Sequence, residues 1–234
     1  FLASAALVGV GLYVRLQLAE TRDFQIMTAT RLPVGKPMRR VVMHHTRALF
    51  LGTLAATASF VILYVITVFS LSWATSKLGY TRPQMLVAQM IGMVVLGLLI
   101  PVSALLAQRW SAKTVLMAAI VGLTIFGLIF GSLFRGGSFP MVLITTVSGL
   151  GLAGLSYGPL GTVLAELFPT HVRYTGISLA FNLAGILGAS ATPYIATGLA
   201  SGWGLPAVGY YLSAVVIVSA VALRTMIMQG IHDR

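Results

Sequence analysis

The sequence predicts an all-α integral membrane fold built on six spanning helices, and three observations carry that prediction. Apolar residues make up 58% of the 234 residues, with a mean hydropathy of +0.96. Charged residues are only 8%, where a soluble domain carries about 25%. That composition can cover neither a wettable surface nor a disordered chain, which would be poor in apolar residues. Third, the few charges are separated by long apolar intervals. A charge at the middle of a spanning helix costs about 2.5 to 3.5 kcal/mol on insertion scales, so charge-free intervals mark the spans.

Taken in order, 29 uncharged residues lie between Arg47 and Lys77, and 26 between Arg82 and Arg109. Lys113 to Arg135 encloses 21, and Arg135 to Glu166 encloses 30. A crossing needs about 20 apolar residues, so each interval holds one helix. The 50 residues between Arg173 and Arg224 are too many for one crossing. SGWGLP at 201–206 divides them with a Gly and Pro turn. The predicted spans are therefore 48–74, 84–107, 114–134, 140–165, 174–200 and 207–228. Ahead of them, FLASAALVGVGLYV (1–14) is apolar but too short to cross. Phe1 reads as a cut inside an earlier helix, because no basic region precedes this stretch as it would in a signal peptide.

Fifteen Lys and Arg against four Asp and Glu leave a net charge of +11. Twelve of the basic residues fall on one side of the predicted topology, and three (Lys77, Arg82, Arg135) on the other. The positive-inside rule makes the rich side cytoplasmic and places the C-terminus there. The charge is thus a topology signal rather than a nucleic-acid footprint. Residues 15–47 read as a cytoplasmic loop whose RLPVGKPMRR stretch suits a linker near anionic headgroups.

Within the spans, no Asp, Glu, Lys, Arg or His lies near a midpoint, and all four histidines fall in loops or at the tail. An intramembrane Ser–His protease lacks its base, and no His-Glu-x-x-His metal motif or axial haem histidine occurs. With no cysteine, thiolate chemistry and cysteine-held metals are excluded. GLGLAG (149–154) matches a dinucleotide fingerprint only in letters, since no strand precedes it. Gly149, Gly151, Gly154, Gly158 and Gly161 read instead as a helix-packing face, with Gly127 and Gly131 as a second small pair. Pro101, Pro159 and Pro193 lie inside spans, where each frees a carbonyl and allows a bend. Polar residues at depth are few: Thr57, Ser59, Tyr64, Thr67, Gln89, Ser148, Tyr157 and Asn182. Asn182, the chain's only asparagine, needs either an interhelical partner or a water-filled path. For a lone Thr or Ser, bonding back to its own helix is the plainer reading.

The segment AELFPTHVRYTGISLAFN (165–182) ends one helix with Glu166, breaks at Pro169 and opens the next with Arg173. It resembles the major facilitator superfamily of secondary transporters. Its continuation, YTGISLAFNLAGILG with Pro193 beyond, is closest to the metabolite–proton symporter group that includes shikimate, α-ketoglutarate and proline/betaine carriers. GLYVRLQLAET (11–21) resembles the end of that group's sixth helix, and ALLAQRWSAK (104–113) its loop between helices eight and nine. In that loop Arg109 and Lys113 remain, but Gln108 stands for the expected Asp, and Ala104 and Ser111 for the expected glycines.

The resemblance implies the six-helix C-terminal half of a 12-helix major facilitator fold plus the end of helix six. Residues 1–18 would be that helix end, 19–47 the central loop, 48–228 the six-helix domain and 229–234 a cytoplasmic tail. It further implies a multi-pass protein of the bacterial inner membrane, monomeric, with its substrate site between two halves near the midplane. Carried onto this chain, Tyr64, Gln89, Tyr157 and Asn182 are the expected substrate contacts. Arg109, Glu166 and Arg173 are the expected cytoplasmic gate, with Glu166 the only carboxylate of this half available to either arginine and the latch therefore weak. The implied activity is proton symport of a small polar metabolite, an organic acid or zwitterion, without covalent chemistry, cofactor or metal. The coupling carboxylate would lie in the other half. A competing class is a non-transporting multi-span scaffold or receptor subunit; a channel would need a charged or polar pore lining that these spans lack.

Overall fold

The computed structural model describes residues 37–135 and 138–229, together with Val8, Gly9, Leu12 and Tyr13. Those four are the only described positions of the expected helix end at 1–18, and they are helical. Most of the expected loop at 19–47 and the tail beyond 229 lie outside the described residues.

Among the described residues from Pro37 onward, seven helices follow one another: α1 (Pro37–His44), α2 (Thr46–Lys77), α3 (Arg82–Arg109), α4 (Ala112–Leu133), α5 (Phe139–Ala165), α6 (Arg173–Trp203) and α7 (Leu205–Gln229). Helices α2 to α7 are each long and apolar enough to cross a membrane. The six predicted spans are all present. Their ends follow from local chemistry. Thr81 caps α3 through a reciprocal box with Gln84, and Pro83 sits in the first turn, where no N–H is needed. Gly204, at φ +83°, makes the turn between α6 and α7 that the Gly and Pro cluster predicts. Helix α1 corrects the linker reading of residues 37–44. Pro37 opens a helix whose Val41 is fully buried, so this part of the segment is packed against α2 and α6.

The core is two glycine-bearing helix pairs, α3–α5 and α4–α7, joined by packing of α4 on α5, with α2 bridging α7 and α6. On α5, a methyl group at Gly154 would stand 2.6 Å from the carbonyl oxygen of Leu96, and one at Gly158 2.5 Å from that of Ile100. Gly151 faces Leu99, while Gly149 turns to Ile66 and Phe126. Gly161 departs from the expected packing face, having no neighbour within 4 Å. On α4, Gly127 lies against Gly209 and Ser213 of α7, and the Ser213 hydroxyl donates to Thr124 O at 3.0 Å. Gly131 receives the Leu205–Pro206 turn. Small residues thus bring two backbones together where hydrocarbon offers no hydrophobic drive between helices.

Two spans depart from α geometry. Helix α2 contains a π turn at Val65–Phe69, and α6 one at Ile186–Ser190, three residues before Pro193. The burial is equally uneven. In α2, 61% of the most apolar stretch is inside the bundle, against 28% in α6 and 11% in α3.

Candidate functional site

At the heart of the predicted substrate region is an aromatic cluster contributed by three helices. Phe60 of α2 meets Phe181 of α6 edge-on, with ring centroids 4.9 Å apart, and Tyr157 of α5 at 6.0 Å. Tyr157 and Phe181 close the triangle at 6.3 Å. Such T-shaped contacts set positive ring edges against negative faces. Gly188 lets α6 approach α2 closely at this cluster. A methyl group at Gly188 would stand 2.6 Å from the Phe60 Cβ, and one at Gly185 3.5 Å from its ring.

The four expected contact residues distribute around this cluster unequally. Tyr157 is a member of it, and Tyr64 follows Phe60 by one helical turn on the same face of α2. Both are half-buried. Asn182 follows Phe181 in sequence and is exposed. Its amide donates to Ser178 O at 2.7 Å and reaches Ser178 Oγ at 3.4 Å, so of its two expected readings the interhelical bond is not made and the amide bonds within its own helix. Gln89 is buried and turned to the backbone. Its Nε2 donates to Ile66 O at 3.2 Å and Thr67 O at 2.7 Å, two carbonyls of the α2 π turn. The amide nitrogen therefore supports the helix that carries Tyr64.

The hydroxyl readings resolve individually. Thr57 and Thr67 bond back to Thr53 O and Leu63 O, and Ser148 to Ile144 O. Ser59 instead crosses to Ser156 of α5 at 2.9 Å. Thr67 also lines a cavity of about 370 Å³ with Val68, Leu71, Ser72, Thr75 and Arg82, at the end of α2 away from α1. Phe60 and Phe181 escaped the sequence reading because apolar side chains carry no mark of a site. Their spacing one turn from Tyr64 and next to Asn182 was the available signal.

At the basic end, Glu166 ends α5 and pairs with Lys113 of α4 at 2.7 Å. In this conformation its partner is neither Arg109 nor Arg173 but the other basic residue of the 104–113 segment. Lys113 lies in the first turn of α4, which Ser111 caps by accepting from Thr114 N at 3.1 Å, and that start brings the ammonium to the end of α5. Arg173 Nε donates to Phe168 O at 3.3 Å, tying the first residue of α6 back across the connection from α5. Phe168 and Val172 are buried beneath it, and His45 and His171 approach edge-on at 6.4 Å. Glu166 is the one described residue with a carboxylate side chain, so no side-chain acid stands at membrane depth among the described residues.

The inner membrane metabolite transport protein YhjE of Escherichia coli K12 is 37% identical over 228 residues, covering 95% of this chain and 52% of that protein. A putative metabolite transport protein of Haemophilus influenzae is 37% identical over 234 residues, with the same 95% and 52%. The chain is a relative of the metabolite transporters. More distant relatives include the shikimate transporter of E. coli K12, 26% identical over 97% of this chain and 53% of that one. The E. coli K12 proline/betaine transporter is 25% identical over 93% and 45%. The chain spans about half the length of the curated relatives it matches, and no family model matches it. The resemblance first seen in residues 165–182 therefore extends along the chain, and the six-helix bundle is a half of a major facilitator fold of the metabolite-transporter group.

Proposed function

We propose that this chain is the C-terminal half of a secondary active transporter that moves a small polar metabolite, an organic acid or zwitterion, by proton symport with alternating access. The observation that carries the reading is the 37% identity to metabolite transport proteins along 95% of the chain. The Phe60–Tyr157–Phe181 cluster agrees with it. Ring faces accommodate the body of a small solute and attract an ammonium group, while the Tyr64 and Tyr157 hydroxyls and the Asn182 amide oxygen supply hydrogen bonds. The N-terminal half of the same polypeptide would cover the face where α3 and α6 are least buried, closing a midplane site. In this reading the basic end is cytoplasmic, the membrane is the bacterial inner membrane and the unit is a monomer.

Coupling falls to an acid outside this half, since none of its described residues offers a membrane carboxylate. The Lys113–Glu166 pair and Arg173 would be remade as the halves rock, Arg109 being held ready at the end of α3. No bond of the solute is made or broken. The test is uptake by the full-length protein in proteoliposomes under an inward proton gradient, using shikimate, α-ketoglutarate, proline and betaine. Accumulation of one solute that collapses with a protonophore is the expected result. Uptake unaffected by the protonophore would remove symport, and no uptake of any solute by inserted protein would favour the scaffold class.

A further inference from the structure

The cavity at the far end of α2 is outside the cluster described above. Its lining combines three hydroxyl residues, Thr67, Ser72 and Thr75, with Val68, Leu71 and the first residue of α3, Arg82. Two of the hydroxyls are spent as donors within α2, Thr67 on Leu63 O and Thr75 on Leu71 O. The Ser72 hydroxyl donates to no group among the described residues, so it and the guanidinium are the donors facing the space. Arg82 has no carboxylate near it among the described residues. The one described acidic side chain is at the opposite end of the bundle, held by Lys113. Lys77 and Arg135, the other cations of this end, add to the same sign. With no described carboxylate beside it, the exposed guanidinium of this open, largely apolar groove attracts anionic solutes at short range.

We propose that this cavity is an outer capture site for small organic anions, with Arg82 holding the charge and Ser72 donating a hydrogen bond, one end of the path that leads past Thr67 to Tyr64. The proposal rests on the transport reading and locates a first contact ahead of the aromatic cluster. A topology signal alone accounts for the sign of Arg82; it does not account for a cavity of about 370 Å³ that the residue shares with three hydroxyl groups.

This chain has no cysteine, which allows a direct reading of the local charge. Ser72→Cys is placed in the full-length protein cleared of any cysteine elsewhere. It is then reacted in vesicles with an anionic sulfonatoethyl and a cationic trimethylammonioethyl methanethiosulfonate. The expected result is preference for the anionic reagent, with the anionic-to-cationic rate ratio falling about tenfold on Arg82→Gln and retained on Arg82→Lys. A ratio unmoved by Arg82→Gln overturns the site. So does a loss in Arg82→Lys as large as in Arg82→Gln, which would assign the effect to local packing. A cysteine unreactive to both reagents overturns it as well, since the cavity would then be closed to water. The reagents are not transported, so this outcome is separate from the uptake test. Uptake with no charge preference removes the capture site and keeps the transporter, whereas preference without uptake does the reverse.

Discussion

The α3–α5 seam and the α2–α6 face are both helix contacts relieved by glycine, yet they are built for different ends. Along the seam, Gly151, Gly154 and Gly158 repeat at three- and four-residue intervals, and α5 lies against the carbonyls of α3. Both helices keep α geometry throughout, even around Pro101 and Pro159. On the α2–α6 face, Gly188 meets the Phe60 Cβ first, with the α2 backbone farther back at 3.2 Å, Gly185 stands 3.5 Å from the Phe60 ring, and each helix carries a π turn. A π turn widens the helix and leaves carbonyls in need of partners, which Ser70 and Gln89 provide in α2. Backbone pressed on backbone has no room to slide. A widened turn held by side-chain bonds can exchange them. The contrast teaches that the bundle has a rigid spine, α3–α5, and a deformable face carrying the residues nearest the proposed solute path.

The most damaging way to break that contrast is to add one methyl group to the spine. Gly154→Ala and Gly158→Ala each place a Cβ against α3 carbonyl oxygens at 2.6 and 2.5 Å. Overpacking costs about 1 to 3 kcal/mol, and more where backbone must move. Both variants should lose most detergent-stable monomer in size-exclusion profiles. Gly161→Ala, with open space around it, should match or exceed the parent, since alanine favours a helix by about 1 kcal/mol over glycine. Equal losses at all three positions would mean that the seam is not a close contact.

Next in size is the π turn. Gln89→Leu keeps the volume and removes both donors, leaving Ile66 O and Thr67 O without them. Hydrogen bonds between membrane helices are worth about 0.6 to 2 kcal/mol, so the protein should fold with a lower melting temperature. Because the deformable face is affected, the transport rate should fall more than the yield does. A variant that loses yield but transports at the parental rate would place Gln89 on the spine side of the comparison.

Much of this was legible in the chain itself, for a physical reason. Insertion energetics act residue by residue, so gaps between Arg47, Lys77, Arg82 and Arg109 report spans without any knowledge of packing. The turn at Gly204 is legible for the same local reason. Pairings are not local. Lys113 rather than Arg109 reaches Glu166 because α4 starts beside the end of α5, a fact of three-dimensional arrangement. Gln89 has an amide that suits a solute or a carbonyl equally well, and only the π turn, invisible in VITVF, decides what its nitrogen does. Val41 looked like part of a basic linker because burial of one residue between exposed neighbours at 38–40 and 42–44 leaves no periodic trace.

The pair at the basic end gives a smaller and sharper effect. Both partners are partly exposed, and such pairs contribute about 0.2 to 1 kcal/mol. Glu166→Gln should therefore leave insertion and melting nearly unchanged while cutting uptake, if the contact is remade during the cycle. Lys113→Gln should reproduce it, whereas Arg109→Gln should not. If Arg109→Gln is the stronger variant, the functional partner differs from the one in this conformation.

Asn182→Ala should have the smallest structural effect of all. Its amide bonds only within α6, to Ser178, and the side chain is exposed, so no helix loses a partner when it is shortened. The structural cost should be no more than a few tenths of a kcal/mol, as for other surface positions. Any change in transport then reports the solute directly. A raised apparent KM with unchanged yield and maximal rate would mean that Asn182 binds the ground and transition states of the solute equally, placing it on the path beside Phe181. A drop in folded protein would mean that α6 is held by this residue after all, and would move part of the deformable face to the rigid side of the comparison. The two outcomes are separated by one pair of numbers, the yield of monomer and the KM, measured on the same preparation.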